Sequence, residues 1–340
     1  MTGAKTKTAK LDIAKLEIVC PAGTPAALHA AVEAGADSVY LGLRDETNAR
    51  NFPGLNFDEA ELYAAVAFAH GRGVKILLAI NTYPRAGDMG PWQRALALAE
   101  DAGVDAVILA DMGLADYAAQ RHPGLRRHLS VQASAANPLS IAFYQRAFGV
   151  KRVVLPRVLT LAQIAAVTKA VAVETEVFVF GGLCVMAEGR CALSSYATGK
   201  SPNMNGVCSP ASHVRYVERE GTLTSKLGTL TINRFASGEP AGYPTLCKGR
   251  FVARGRPSYL FEEPTSLNAL DLLPDLLAAG VTAVKIEGRQ RGRAYVARVI
   301  AAIREAVDAA NSGAPLPALD LRAMTEGGQE TAGVYRKGWR

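Results

Sequence analysis

The chain has 340 residues, 49% of them hydrophobic and 20% charged, with a formal net charge of +7. This composition excludes a disordered or low-complexity protein, and the longest apolar runs, such as 74–80, fall far short of the roughly 20 residues of a membrane-spanning helix. The charge is concentrated at the ends: residues 1–15 carry +3, the last ten another +3, and the body between them only +1. A basic nucleic-acid stripe is therefore not expected, nor is nucleic acid as a partner.

The first ten residues, MTGAKTKTAK, are basic but lead into no apolar core with a small-residue cleavage site, so no signal peptide is read. The expectation is a cytoplasmic protein with a basic tail over 1–15. In a reducing compartment, clustered cysteines more often bind metal than form disulfides.

From there an internal repeat organises the chain. VEAGADSVYLG (32–42), HGRGVKILLAI (70–80), EDAGVDAVILA (100–110), RAFGVKRVVLP (146–156) and LAAGVTAVKIEG (277–288) each place a glycine between a helical pattern and an apolar strand. Glycine ends the helix in the left-handed conformation, and the Val/Ile/Leu run suits a strand buried on both faces. In order, strands are predicted at 16–20, 38–43, 74–81, 106–111, 128–133, 152–156, 176–180 and 283–287. Helical patterns separate successive strands up to the seventh, and one more, at 295–309, follows the eighth. Strand alternating with helix over eight units predicts an α/β protein, a closed (β/α)8 TIM-like barrel. An open doubly wound sheet is the alternative.

The rhythm breaks between strands seven and eight. About a hundred residues intervene, and within them 183–258 reads as an insertion containing antiparallel strands over 213–235, followed by a helix at 267–279. An insertion there projects from the C-terminal face, where enzymes of this fold place their chemistry. The barrel domain is expected to span 16–311, with a loosely ordered tail over 312–340.

The insertion holds four of the five cysteines, Cys184, Cys191, Cys208 and Cys247, spaced C-x6-C-x16-C-x38-C. Structural zinc sites favour tighter C-x2-4-C pairs, whereas an iron–sulfur cluster accepts ligands from separate loops. A [4Fe–4S] cluster, a zinc ion and unliganded thiols all remain open on spacing alone. Cys20, at the end of strand one, reads as a small buried hydrophobe.

Polar residues at strand C-termini face the site in a barrel, which singles out Tyr40, Asn81, Asp111, Gln132, Arg157, Glu287 and Arg289. Glu287 and Arg289 are the catalytic candidates. Arg289 has the fork to grip a carboxylate, and Glu287 can orient it or move a proton. Asn81, Gln132, Arg157 and Arg293 are the substrate-binding candidates. Arg250, Arg254 and Arg256 lie beside Cys247 and can offset the charge of a cluster or meet a partner. Ser194, Ser195 and His213 establish no proteolytic triad by spacing, and no HExxH motif is present.

The stretch EVFVFGGLCVMAEGRCALS (176–194) resembles the signature of the U32 family, historically labelled peptidases, with Glu176, Phe178, Gly181, Cys184, Gly189, Cys191 and Ser194 in register. Gly182 departs from it, since Ser or Ala is expected there. CPAG (20–23), AGADSVYLG (34–42) and KIEGRQRGRAYVARVI (285–300) match as well, so the resemblance covers roughly 16–310. Within the family, the cysteine spacing and the end of the chain soon after the last barrel helix are most similar to the ubiquinone-biosynthesis branch, that of UbiU. That resemblance implies that the four clustered cysteines hold a [4Fe–4S] cluster. It also implies a heterodimer with a UbiV-like protein and oxygen-independent hydroxylation of the ubiquinone ring. A prephenate-like oxygen donor and a lipid-carrier protein delivering the quinone precursor are further implied partners. The alternatives are hydroxylation of an RNA base, as in other members of the family, and a non-catalytic role in which the cluster is structural.

Overall fold

The computed structural model describes residues 15–184 and 186–336. The basic stretch 1–14, and Lys337 and Arg340, lie outside the described residues. The first seven strands are β1 (Glu17–Pro21), β2 (Ser38–Gly42), β3 (Lys75–Ile80), β4 (Ala106–Leu109), β5 (Arg127–Leu129), β6 (Arg152–Val154) and β7 (Glu174–Gly182). Helices α1 (Pro25–Glu33), α2 (Glu59–His70), α3 (Gly90–Asp101), α4 (Met112–Arg121), α5 (Pro138–Phe148) and α6 (Leu161–Ala170) alternate with them. The insertion adds α7 (Leu193–Thr198), the meander β8 (Val214–Arg219), β9 (Thr222–Leu227) and β10 (Leu230–Phe235), and the hairpin β11 (Arg250–Ala253) with β12 (Arg256–Tyr259). The chain returns through β13 (Ser266–Asn268), α8 (Leu273–Ala278), β14 (Ala283–Ile286), α9 (Arg293–Ser312) and β15 (Glu330–Thr331).

β1 to β7 are parallel neighbours in chain order, and β14 pairs in parallel with both β1 and β7. The eight strands therefore close into a (β/α)8 barrel, as the repeat predicts, and the open sheet is set aside. The five repeat glycines, Gly35, Gly73, Gly103, Gly149 and Gly280, all have positive φ. Each ends a helical segment where a side chain would be strained.

Alternation along the strands divides the interior in two. Ile18, Val39, Leu41, Ile76 and Leu78 face the helices and join the large core. Their neighbours Val19, Tyr40, Leu77, Ala106, Ile108 and Ala283 form a smaller cluster inside the barrel. Two expected elements end differently. The strand expected to reach 133 stops at Leu129 and turns, with Ser130 Oγ accepting from Gln132 N–H. The helix expected from 267 starts only at Leu273, because Pro274 suits a first turn but no interior position. Residues 266–268 instead pair antiparallel with the end of β7.

The segment expected to be loose after 312 is docked. β15 pairs with β13, Leu321 and Tyr335 are buried, and the Tyr335 hydroxyl donates to the Phe178 carbonyl in β7. Among the described residues no helix is long and apolar enough to cross a membrane.

Candidate functional site

The C-terminal ends of the strands open into a cavity of about 1210 Å³. Tyr40, Ile108, Phe178 and Lys285 form its floor, the loop after β2 contributes Arg50, and the insertion and residues 325–329 supply walls. All four clustered cysteines line it. Two glycines bring these loops together. At Gly181 (φ +111) a Cβ would stand 2.3 Å from the Glu287 carbonyl oxygen, and at Gly189 (φ +77) it would stand 1.8 Å from that of Gln132. Only glycine permits both the conformation and the approach.

Burial pushes the Cys184 thiol up, with Arg157 opposing it. The Cys247 thiol is pushed up to about 11, by burial first and then by Cys184 and Cys208. Those three thiols thus share one electrostatic neighbourhood, in which ionising one makes ionising the next harder unless cations compensate. Among the described residues no three His, Cys, Asp or Glu side chains are gathered closely enough to hold a single metal ion. Cys20 sits in the large core away from the cavity, and burial holds its thiol well above the ordinary value.

Glu287 follows β14 and accepts the Gly182 N–H at 3.2 Å while facing Arg50 at 3.5 Å. Burial alone would raise its pKa, but Arg50, Arg157 and the Gly182 N–H together hold the carboxyl below its usual range. Arg289 is buried, and among the described residues its one side-chain hydrogen bond is to Asn48 Oδ1 at 3.1 Å. Burial lowers its pKa to about 10, so the guanidinium stays charged with no carboxylate bonded to it. Lys285 lies on the floor, 2.6 Å from Glu176 and 3.9 Å from the centre of the Tyr40 ring.

The structure brings most of the sequence candidates to this cavity. Asn81 lines it, donating to Ser130 Oγ and accepting from Ala49 N–H, which fixes the loop that carries Arg50. Gln132 lines it with its side-chain Oε1 buried and unpartnered among the described residues. Arg157 lines it, bonded to Glu188 and to the Gly182 carbonyl. The Tyr40 hydroxyl is taken up by the Ile286 carbonyl. Arg293 does not reach the cavity: it lies exposed in the first turn of α9. Arg291 lines the wall instead, facing Glu326 at 3.6 Å. Asp111 caps α4 by accepting the Leu114 N–H. Arg250 pairs with Glu239 at 2.9 Å.

Sequence reasoning missed Arg50, Lys285 and Glu326. For Arg50 the signal was the polar run TNARN just past strand two, at the active end of a barrel strand. For Lys285 it was a lysine inside an otherwise apolar strand.

A family model described as Peptidase family U32 matches residues 23–338. The chain belongs to peptidase family U32. Among its relatives, an "Uncharacterized protease" of Methanocaldococcus jannaschii is 33% identical, over 88% of this chain and 66% of the relative. The "tRNA hydroxylation protein P" of Escherichia coli is 32% identical, over 92% of this chain and 74% of the relative. The "23S rRNA 5-hydroxycytidine C2501 synthase" of the same organism is 30% identical, over 87% of this chain but 40% of the relative.

Membership in U32 leaves the peptidase label to be judged on the site. Among the described residues no histidine lines the cavity. Ser194 is buried and donates to the Cys208 carbonyl, while His213 pairs only with its neighbour Ser212. A serine nucleophile needs an adjacent base, and the described residues of this U32 chain offer none there.

Proposed function

We propose that this protein carries a [4Fe–4S] cluster on Cys184, Cys191, Cys208 and Cys247 and hydroxylates a base in RNA. The observation that carries the reading is the convergence of four thiols and a set of cations on one cavity at the active end of the barrel, in a family several of whose members are named for RNA hydroxylation. The donor set suits a cluster better than a lone zinc ion, because the thiols come from separated loops and the cluster is the larger object.

Such a cluster would supply electron transfer or a Lewis-acidic iron to an oxygen donor other than O2. The chain's own residues would do the rest. The buried Arg289 fork is free to grip an anionic donor, and Lys285 on the floor adds a second cation. Glu287 holds Arg50 in place and is ionised, so it can accept a proton.

The near-neutral body argued against RNA, but an average hides a local field. Arg50, Arg157, Lys248, Lys285, Arg289 and Arg291 line one opening together with Glu188, Glu239, Glu263, Glu287 and Glu326, so positive charge there is local, centred on Arg289, and the lining as a whole is nearly balanced. Relatives named for RNA hydroxylation put this reading ahead of ubiquinone hydroxylation with a UbiV-like partner. The second reading keeps one specific support, the cysteine spacing.

A single deletion strain tests both. Mass spectrometry of tRNA and rRNA nucleosides is expected to show one hydroxylated base missing, restored by the wild-type gene and not by Cys184→Ser. Unchanged nucleosides with depleted ubiquinone under anoxia would reverse the order of the readings. Iron and sulfide measured on protein purified without oxygen tests the cluster, with Cys20→Ser retaining both and the four cavity cysteines losing them.

A further inference from the structure

We infer that Arg157 is a positioning residue: together with Glu188 it clamps the loop carrying Cys184 and Cys191 and sets the charge felt at the Cys184 sulfur. This rests on the cluster reading above. The clamp has three parts. Arg157 Nε donates to Glu188 Oε1 at 2.8 Å, a second guanidinium nitrogen donates to the Gly182 carbonyl, and the plane lies 4.4 Å from the centre of the Phe178 ring. Gly182 and Glu188 flank Cys184, so one side chain anchored on the loop after β6 ties down both sides of it. Ser134 Oγ and Gly189, packed against Gln132, fix the same loop to the turn after β5.

The choice of residues argues for more than packing. Both partners are about 95% shielded from water. A buried ion pair gains little over an apolar pair of the same shape, so stability alone is a weak reason to keep one. Lysine could not replace the arginine, because the fork serves two acceptors in fixed directions. Arg157 bonds the carbonyl of Gly182, two residues before Cys184, and the Arg157 and Cys184 side chains line the same cavity, which puts the arginine's charge beside that loop. Fixed charges beside a ligand sulfur tune a cluster's potential. Arg157 alone would favour the reduced, more negative state, and Glu188 offsets it, with its second oxygen buried and unpartnered among the described residues.

The experiment compares wild type, Arg157→Lys, Arg157→Gln and Glu188→Gln after anaerobic reconstitution, titrating the cluster potential by EPR. Arg157→Gln is expected to shift the midpoint negative, Glu188→Gln to shift it positive, and Arg157→Lys to stay near wild type. Shifts of the same sign in the first two, or none, overturn the charge role. If Arg157→Gln fails to hold iron, Glu188→Gln alone decides the sign, with a negative shift or none overturning the charge role. Hydrogen exchange on the metal-free proteins tests the clamp separately: amides 186–191 are expected to exchange faster in Arg157→Gln, and equal rates overturn it. Iron-free wild type would sink the cluster reading, while the exchange result still judges the clamp.

Discussion

Lys285 Nζ lies 2.6 Å from Glu176 Oε1 within the barrel, and both side chains are almost closed to solvent. Arg152 Nη1 approaches the other carboxylate oxygen at 3.5 Å. Lys285 and Arg152 together compensate the Glu176 carboxylate inside the barrel. Breaking such a pair strands a charge in a low-dielectric site, which typically costs about 3–5 kcal/mol. Lys285→Met should fall at the lower end, about 3 kcal/mol, because Arg152 still faces Glu176. Adding Glu176→Gln should recover part of that loss. Urea midpoints of the two variants check this, and a double variant less stable than the single would contradict it.

Below the floor, Arg152 bonds Glu17 at 2.8 Å and Glu174 at 2.6 Å. Burial alone would raise both carboxyls, but Arg152, with Lys75 at Glu17 and Arg126 at Glu174, holds them below the ordinary value of 4.5. The unfolded chain therefore binds more protons than the folded one in the window just below 4.5. Stability from these groups is complete above that value and is lost as the pH falls through the depressed folded values. Arg152→Gln should be less stable at neutral pH and should show a flatter decline on acidification. Denaturation followed across pH reads both, and an unchanged acid slope would refute the account.

Glycine positions separate conformation from contact. At Gly103 (φ +71) a Cβ would stand in open space, whereas at Gly189 (φ +77) it would meet the Gln132 carbonyl oxygen at 1.8 Å. Gly103→Ala should cost only the left-handed penalty, about 1–2 kcal/mol. Gly189→Ala should cost more and also lift the cysteine loop, so its iron content should drop while that of Gly103→Ala does not. Gly182→Ala is the milder case. Its Cβ would meet a Glu287 carboxylate oxygen at 3.0 Å, a side-chain end that can move.

The barrel was readable because its repeat is physical: glycine at a helix end and an apolar run after it satisfy both local and tertiary demands. What escaped lacks periodicity. β15 has two residues and exists only because β13 offers an edge, and Glu326 matters only because Lys248 and Arg291 arrive beside it from distant segments. The cysteines were visible as a set, but their company was not. Arg50 faces Glu287 from the far end of the chain, a contact that closure of the barrel creates and no local pattern encodes.

The docked C-terminal segment should accordingly be part of the site. Tyr335 fills a buried place against β7, and its hydroxyl occupies the Phe178 carbonyl. Tyr335→Phe loses one buried hydrogen bond, about 1 kcal/mol. Tyr335→Ala adds a cavity and should lose about 3–5 kcal/mol of local docking. In Tyr335→Ala, amides 325–331 should exchange faster while those of β1 to β4 hold their protection.

Arg289 makes the opposite prediction, a variant that gains stability by losing function. Its guanidinium is buried at 3% exposure with one neutral acceptor among the described residues, Asn48, and burial lowers its pKa to about 10. A drop of that size corresponds to an unfavourable burial of about 3 kcal/mol at neutral pH, where the group is charged in both states. Arg289→Met fills similar space without charge and gives up one hydrogen bond, worth about 1–2 kcal/mol. The net should be a gain of about 1–2 kcal/mol, seen as a higher thermal midpoint in ligand-free protein. Because the same side chain is the free fork of the cavity, the variant should also fail to restore the hydroxylated base in the deletion strain. A lower midpoint would mean that the guanidinium already has its counter-charge in the free protein, and that it is not waiting for an anion.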